Sequence, residues 1–171
     1  MKNTSKVWKE FQKNELTHSA AHYLLAILDL HRTQGYARLS DVATKLNISK
    51  GSLSTSLKSL FAKGIVLEDE NKHLSLSANG LMLAEHIENT FSVTETFLEE
   101  VLGVSHKQAE VDACKIEHLI SPETSGGLLK MYKAIKNDPK LAKQLKAAMK
   151  KYENCSIDGC KSCKKRTFCV D

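Results

Sequence analysis

The chain has few features that break helices and none that marks a membrane segment. Only two prolines occur in 171 residues. The longest apolar run, around YLLAIL, is far shorter than the roughly 20 residues that a membrane-spanning helix needs. The first residues, MKNTSKVWKEFQKNEL, lack the continuous apolar core of a signal peptide. We therefore expect a mainly helical, cytoplasmic protein with no membrane partner.

Patterns that would indicate catalysis are also missing. The sequence has no nucleophile and base pair at a recognisable spacing and no glycine-rich loop for phosphate. The SGG triplet at Ser125 to Gly127 is better explained as a helix break. Internal repeats and low-complexity segments are absent too, and the 42% hydrophobic content is typical of a folded protein. We expect no enzymatic activity.

Positive charge is concentrated in two regions. The net charge is +5, and residues 139–171 carry nine lysines or arginines against three acids. Residues 40–63 carry four lysines against Asp41 alone. Basic regions of this kind favour a polyanionic partner, so nucleic acid becomes plausible.

The first 77 residues have the pattern of a winged helix-turn-helix. A first amphipathic helix ends at Gly35, and Ser40 is placed to cap a short helix that ends near Leu46. The turn NIS then leads into a helix from about Lys50 to Gly64. Residues 65–67 and 73–75 read as two short strands that form a β-hairpin wing. The alternative is an ordinary helical hairpin with a solvated polar face.

The polar face of the second helix is the predicted DNA-binding surface. Its side chains are basic or hydroxylated, which favours readout of phosphates and groove shape over bidentate contacts to bases. The predicted contact residues on this face are Lys50, Ser52, Ser54, Thr55 and Lys58, and Ser40 at the start of the preceding short helix is also predicted to lie near a phosphate.

The rest of the chain is predicted to be helical up to a cysteine-rich tail. A long helix from Ala78 to about Leu102 precedes a helix that starts at Ser105 and ends near Ile120. After the SPETSGG break, helices are expected over 128–135 and 139–152. The inward residues of the long helix would be Leu81, Ala84, Ile87, Phe91, Leu98 and Val101. These elements give three parts: a DNA-binding domain at 1–77, a helical dimerisation and metal-binding domain at 78–152, and a tail at 153–171.

The motif CKIEH sets Cys114, Glu117 and His118 on one face of a helix. A thiolate, a carboxylate and an imidazole that converge can bind a divalent transition metal. The other interpretation is a buried cysteine beside a solvated Glu-His pair. His22 on the first helix, with His18 one turn before it, favours the metal site.

The order of winged helix, long helix and AEVDACKIEHLIS resembles the DtxR/MntR family of metal-dependent repressors, over about residues 17–129. The resemblance implies a homodimer that binds a double-stranded DNA operator when iron or manganese is bound. It also implies a regulatory metal site formed by His22, Cys114, Glu117 and His118. Glu95 and Glu110 match further ligand positions and are the candidates for an ancillary site.

The tail contains four of the five cysteines, at Cys155, Cys160, Cys163 and Cys169. Four thiolates can hold a 4Fe-4S cluster or a tetrahedral zinc ion. The compact spacing with a single CxxC favours the cluster, and it resembles the cysteine pattern of FeoC-type proteins. The sequence thus predicts a metal-dependent, redox-responsive repressor. The competing prediction is an iron-trafficking or electron-transfer accessory protein whose winged helix binds protein.

Overall fold

A computed structural model describes residues 16–152 of the chain. The four tail cysteines therefore lie outside the described residues. The elements, in chain order, are α1 (His18–Gln34), β1 (Ala37–Arg38), α2 (Leu39–Lys45), α3 (Lys50–Ala62), β2 (Val66–Glu68), β3 (His73–Leu76), α4 (Ala78–Thr96), α5 (His106–Ile116), α6 (Pro122–Asn137) and α7 (Pro139–Lys150). The predicted fold class, mainly α with an N-terminal winged helix-turn-helix, is confirmed.

The helices of the helix-turn-helix begin and end at polar caps and glycines. The Thr17 hydroxyl accepts a hydrogen bond from the Ala20 amide at the start of α1, and Gly35 ends that helix with φ +84°. The Ser49 hydroxyl caps α3 by accepting from the Ser52 amide at 3.1 Å. These local signals give α3 the starting position that the sequence predicted.

The wing is a three-stranded antiparallel sheet in the order β1, β3, β2. The hairpin pairs Val66 with Leu76 and Glu68 with Leu74. The third strand, β1, was not predicted, because its two residues are too few to show an alternating pattern. Its pairing of Arg38 with His73 fixes the wing beside the start of α2.

The predicted cap at Ser40 is wrong. Arg38 is held extended by its pairing in the sheet, so α2 begins directly at Leu39, and Ser40 lies inside its first turn. Asp41 does part of the capping instead, since its carboxylate accepts a hydrogen bond from the Arg38 amide at 3.2 Å. The Ser40 hydroxyl donates to the same carboxylate.

A single hydrophobic core lies between α1, the helix-turn-helix, the wing and the first half of α4. Its fully buried large side chains include Leu24, Ile27, Leu53, Leu57 and Ile87. His31 joins α1 to the sheet, because its Nε2 donates to the Leu74 carbonyl at 2.7 Å. The position of α1 therefore determines where the wing and α3 lie.

The inward face of α4 is partly different from the predicted one. Ala84, Ile87 and Val101 are buried as expected, whereas Leu81 is 39% exposed. Phe91 and Leu98 are only half-buried. The buried positions of the second half are Thr90, Thr94 and Phe97, and the helix continues through a π-helical turn at Phe97–Val101.

The predicted helix boundaries after α4 also need correction. The helix α5 ends at Ile116 rather than near Ile120. The predicted break at SPETSGG is wrong, because α6 begins at Pro122 and runs through both glycines. Proline is favoured in a first helical turn, and the Ser121 hydroxyl accepts from the Thr124 amide there.

The described residues fall into two compact units that divide after Leu129. The first contains the winged helix, α4 and α5. The second contains α7, which Asp138 caps by accepting from the Lys140 and Leu141 amides. Within residues 16–152, no helix is both long and apolar enough to cross a membrane.

Candidate metal centre

Donor atoms from α1 and α5 meet at one place in the first unit. Nε2 of His22 lies 3.3 Å from the Cys114 sulfur and 3.2 Å from Nε2 of His18. The Cys114 sulfur lies 4.0 Å from Nε2 of His18. With a carboxylate oxygen of Glu117, these donor atoms all lie within 4.8 Å of one another. Three of the four predicted ligands thus converge, and His18 joins them.

Glu117 is the most unusual residue of this group. It occupies the C-terminal cap of α5, where its amide still bonds to the Ala113 carbonyl. Its side chain is 1% exposed, and its Oε1 has no hydrogen-bond partner among the described residues. Burial raises the pKa of this carboxyl from 4.5 to about 7. A buried carboxylate without a partner is costly, so a cation is the expected counterpart.

The neighbouring groups also favour their neutral forms. Burial raises the pKa of the Cys114 thiol, and the charges of Glu117 and Glu110 raise it further. Burial lowers the pKa of His22, and a positive charge on His18 adds to that effect. Without a cation, these shifts therefore favour a neutral His22 imidazole, a protonated Cys114 thiol and a protonated Glu117 carboxyl.

His118, the fourth predicted ligand, lies next to this group. Its ring centroid is 5.2 Å from that of His18, with the ring planes 48° apart. Burial lowers the pKa of His118, as do the charges of His18 and His22. Since α5 ends at Ile116, His118 follows in the turn after the helix rather than on its face.

The donors fit a divalent transition metal. Imidazole, thiolate and carboxylate are its common protein ligands, and each must lose or lack a proton to bind. The buried, unpartnered Oε1 of Glu117 is the observation that distinguishes this cluster from a surface group of polar residues. If bound, the ion would supply positive charge that stabilises the thiolate and carboxylate and connects α1 to α5.

The two candidate ancillary ligands, Glu95 and Glu110, are not members of this group of donor atoms. Both act on His106, whose pKa is raised chiefly by its hydrogen bond to Glu99 at 3.1 Å and further by the charges of Glu99, Glu95 and Glu110. Glu95 is half-buried and Glu110 is exposed. In the part of the chain that the structure describes, Glu95 and Glu110 do not belong to a second convergent cluster of metal donors.

The predicted DNA-binding residues occupy the solvent side of α3, apart from Ser40 in α2. The exposed ones are Lys50, Ser52, Ser54, Thr55 and Lys58. The Thr55 hydroxyl donates to the Gly51 carbonyl at 3.0 Å, which orients it along the helix. Opposite this face, Leu53, Leu57 and Leu60 are buried in the core.

Comparison with known proteins assigns both halves of this architecture. Residues 15–74 match the family described as iron dependent repressor, N-terminal DNA binding domain. Residues 77–146 match iron dependent repressor, metal binding and dimerisation domain. The chain belongs to the iron-dependent repressor, or DtxR/MntR, family. The predicted family is therefore confirmed for the part of the chain before the tail.

Individual members of the family are moderately similar to the chain. The transcriptional regulator MntR of Escherichia coli O6:H1 is 36% identical over 102 residues, which cover 60% of this chain and 65% of that protein. The iron-dependent repressor IdeR of Mycobacterium leprae is 25% identical over 118 residues, or 69% of this chain and 51% of that protein. The chain thus matches less than two thirds of each relative's length. The first is named a transcriptional regulator and the second an iron-dependent repressor, and neither name denotes an enzyme, in agreement with the expectation of no enzymatic activity.

The same fold occurs in solved structures. The manganese regulator SloR superposes with a TM-score of 0.59 over 66% of this chain and 53% of its own, at 24% identity. At that identity, the likeness concerns the fold alone.

Proposed function

We propose that the protein is a homodimeric transcriptional repressor that binds operator DNA when a divalent metal, iron or manganese, occupies the site between α1 and α5. The observation that carries this proposal is the convergence of His22, Cys114 and Glu117 across two helices. One of these helices, α1, packs against α2, α3 and the wing. Fixing α1 to α5 would therefore restrict where α3 presents its polar face.

The proposed ligands of the regulatory ion are His22, Cys114, Glu117 and His118. The first three are supported by their donor atoms within 4.8 Å of one another, and His118 by its place beside His18. Glu95 and Glu110 near His106 are not proposed as ligands of this ion. The neutral state that burial imposes on the free site implies that the ion displaces protons on binding.

DNA binding is assigned to the exposed face of α3. Lys50 and Lys58 would contact phosphates, while Ser52, Ser54 and Thr55 would contact phosphates or base edges in the major groove. Support comes from the exposure of all five side chains on a helix whose opposite face is buried. Ser40 is half-buried and its hydroxyl already donates a hydrogen bond to Asp41, so it is less suited to contact a phosphate than the exposed residues of α3.

Dimerisation is assigned to the part of the chain after the wing. Within residues 77–146, large apolar side chains are exposed at Leu102, Val111 and Leu119, at 46%, 41% and 43%. A second copy of the chain would cover such residues. Light scattering should give a mass near twice 19.0 kDa, and a monomer at micromolar concentration would contradict the assignment.

The function is tested by measuring binding of the purified protein to its own upstream DNA by fluorescence anisotropy. We expect tight binding with Fe(II) or Mn(II), weak binding with a chelator, and a preference over scrambled DNA of equal length. Because electrostatic binding falls steeply with salt, the preference is measured at near-physiological salt. Equal affinity for both DNAs with every metal would favour an accessory protein over a repressor.

The tail, residues 153–171, is proposed to form a separate site in which Cys155, Cys160, Cys163 and Cys169 hold a 4Fe-4S cluster or zinc. The support is the spacing C-x4-C-x2-C-x5-C with lysines and an arginine among the thiols. A four-thiolate site with either cofactor carries a net charge of −2, which these cations would offset. Sulfide and metal analysis of anaerobic protein separates the two cofactors, and a protein with neither contradicts the proposal.

A further inference from the structure

His18 lies in the first turn of α1, one turn before His22, and both imidazoles point the same way. Their Nε2 atoms are 3.2 Å apart, and that of His18 is 4.0 Å from the Cys114 sulfur. A simple hydrogen bond between the exposed His18 and the half-buried His22 would explain the first distance. It does not explain why a thiol and a buried carboxylate oxygen without a partner lie at the same point.

The separations are close to those around a four-coordinate ion. Nitrogen, oxygen and sulfur ligands lie about 2.0–2.3 Å from such an ion, so a tetrahedral arrangement places pairs of donors about 3.3–3.8 Å apart. The three distances among the donor atoms of His18, His22 and Cys114 are 3.2, 3.3 and 4.0 Å. Small side-chain movements would therefore bring all four donors into range.

We propose that His18 is a ligand of the regulatory metal, and that the resulting set of two imidazoles, one thiolate and one carboxylate selects iron, cobalt or zinc over manganese. This inference rests on the regulatory site of the proposed function, gives His18 the place assigned there to His118, and adds a metal preference. Thiolate and imidazole suit ions of the iron to zinc range, whereas manganese is better served by carboxylates and water.

Charge balance agrees with this set. One thiolate and one carboxylate contribute two negative charges, which a divalent ion neutralises, and the imidazoles add none. A neutral complex suits a site in which Glu117 is 1% exposed, because burying net charge is costly. The four donors within 4.8 Å of one another include His18 and not His118. His118 thus lies beside this set, and its removal should alter the site less.

The position of His18 at the start of α1 determines what a metal bond to its imidazole would do to the helix. His18 is the first residue of α1, and the Thr17 hydroxyl caps that helix by bonding to the Ala20 amide. A metal bond at His18 therefore fixes the very start of α1 to α5, in addition to the bond one turn later at His22. Two consecutive turns held in this way define the direction of the helix as well as its position.

Co(II) spectroscopy tests the ligand assignment. The probe is Co(II) added anaerobically to the full-length chain with the four tail cysteines replaced by serine, so that only Cys114 can give a thiolate-to-cobalt band. We expect one bound ion with that band and with the strong visible d–d bands of four-coordination. His18→Ala should weaken the d–d bands and lower Co(II) affinity at least about tenfold, the lower bound for losing even an outer-shell partner. Ser19→Ala, an exposed neighbour in the same turn, should change neither.

The outcomes separate this inference from the proposed function. An unchanged spectrum and affinity in His18→Ala, with the thiolate band lost in Cys114→Ser, would overturn the role of His18 and leave the regulatory site standing. Absence of any thiolate band in the parent protein would overturn the site itself. For the metal preference, His18→Asp should raise Mn(II) affinity relative to Co(II), and an unchanged ratio would refute the selectivity.

Discussion

The Cys114 sulfur lies 3.3 Å from Nε2 of His22, although the two residues are 92 positions apart in the chain. This contact connects α1, which packs against the proposed DNA-binding helix α3, to α5 in the half that matches the metal binding and dimerisation domain. The two residues lie in separate helices, α1 and α5, so the contact is not part of the local structure of either helix. The contact is therefore best explained by a metal ion that both side chains would bind.

Removing the Cys114 thiol or the His22 imidazole should abolish the stabilisation of the folded protein by bound metal. A ligand at 100 times its Kd stabilises a protein by about 2.7 kcal/mol, so bound Fe(II) or Co(II) should raise the Tm of the parent protein by several degrees. Cys114→Ser and His22→Ala should lose this increase, while Lys115→Ala, which removes an exposed neighbour paired with Asp112, should keep it. Differential scanning fluorimetry with and without metal makes the comparison. An equal Tm increase in all variants would place the ion elsewhere.

Glu117 should give the metal-free protein an unusual pH dependence. Its pKa in the folded state is about 7 against 4.5 when unfolded, so the folded protein holds this proton more tightly. The stabilisation is complete below pH 4.5 and is lost as the pH rises through 7. A shift of that size corresponds to about 3 kcal/mol.

The measurement compares urea unfolding of the parent and Glu117→Gln in chelator between pH 5 and pH 8. The difference is needed because His22 and His118, whose pKa values are lowered, act in the opposite direction below pH 6.5. The free energy of unfolding of the parent should therefore fall relative to that of Glu117→Gln as the pH rises from 5 to 8. A constant difference across this range would show that Glu117 titrates normally.

Gly80 should tolerate no side chain. A Cβ at this position would lie 2.2 Å from the Ile65 carbonyl oxygen, which also accepts a hydrogen bond from the Ser77 amide. Gly80→Ala should therefore destabilise the protein by about 1–3 kcal/mol, as overpacking usually does, despite the better helix propensity of alanine. Gly51→Ala in α3 is the matched control, because nothing lies within 4 Å of its Cβ position. Chemical denaturation should show it neutral or up to about 1 kcal/mol more stable. Equal effects of both substitutions would refute the packing argument.

The sequence predicted those parts of the structure that depend on local signals. The predicted starts of α3 at Lys50 and of α4 at Ala78 are confirmed, and Gly35 and Gly64 end α1 and the turn after α3 as predicted. Prediction from the sequence failed where a contact between residues far apart in the chain determines the start of a helix. Ser40 resembles a cap, but pairing of Arg38 with His73 in the sheet moves the helix start past it.

The same reasoning explains the errors in α4 and at the metal centre. A search for apolar periodicity selects Leu81 and Phe91, whereas the helix, which packs against both α1 and α5, buries the small polar residues Thr90 and Thr94. His18 was visible as the i−4 neighbour of His22, a spacing that places both on one helix face. Its convergence with Cys114 depends on how α1 and α5 pack, which no local pattern encodes.

Loss of a single lysine from α3 should change the salt dependence of DNA binding as well as its strength. Lys58 is exposed on the face opposite the buried Leu57 and Leu60, so its ammonium group can contact a phosphate. Each phosphate contact adds about 0.9 to the slope of log affinity against log salt, because the DNA releases a counterion. Lys58→Ala should therefore reduce that slope by about 1 with the metal-loaded protein. Lys107→Ala removes an exposed lysine from α5 and the same formal charge, and it should leave the slope nearly unchanged. If both variants lower the slope equally, the binding reflects overall charge and not the proposed face of α3.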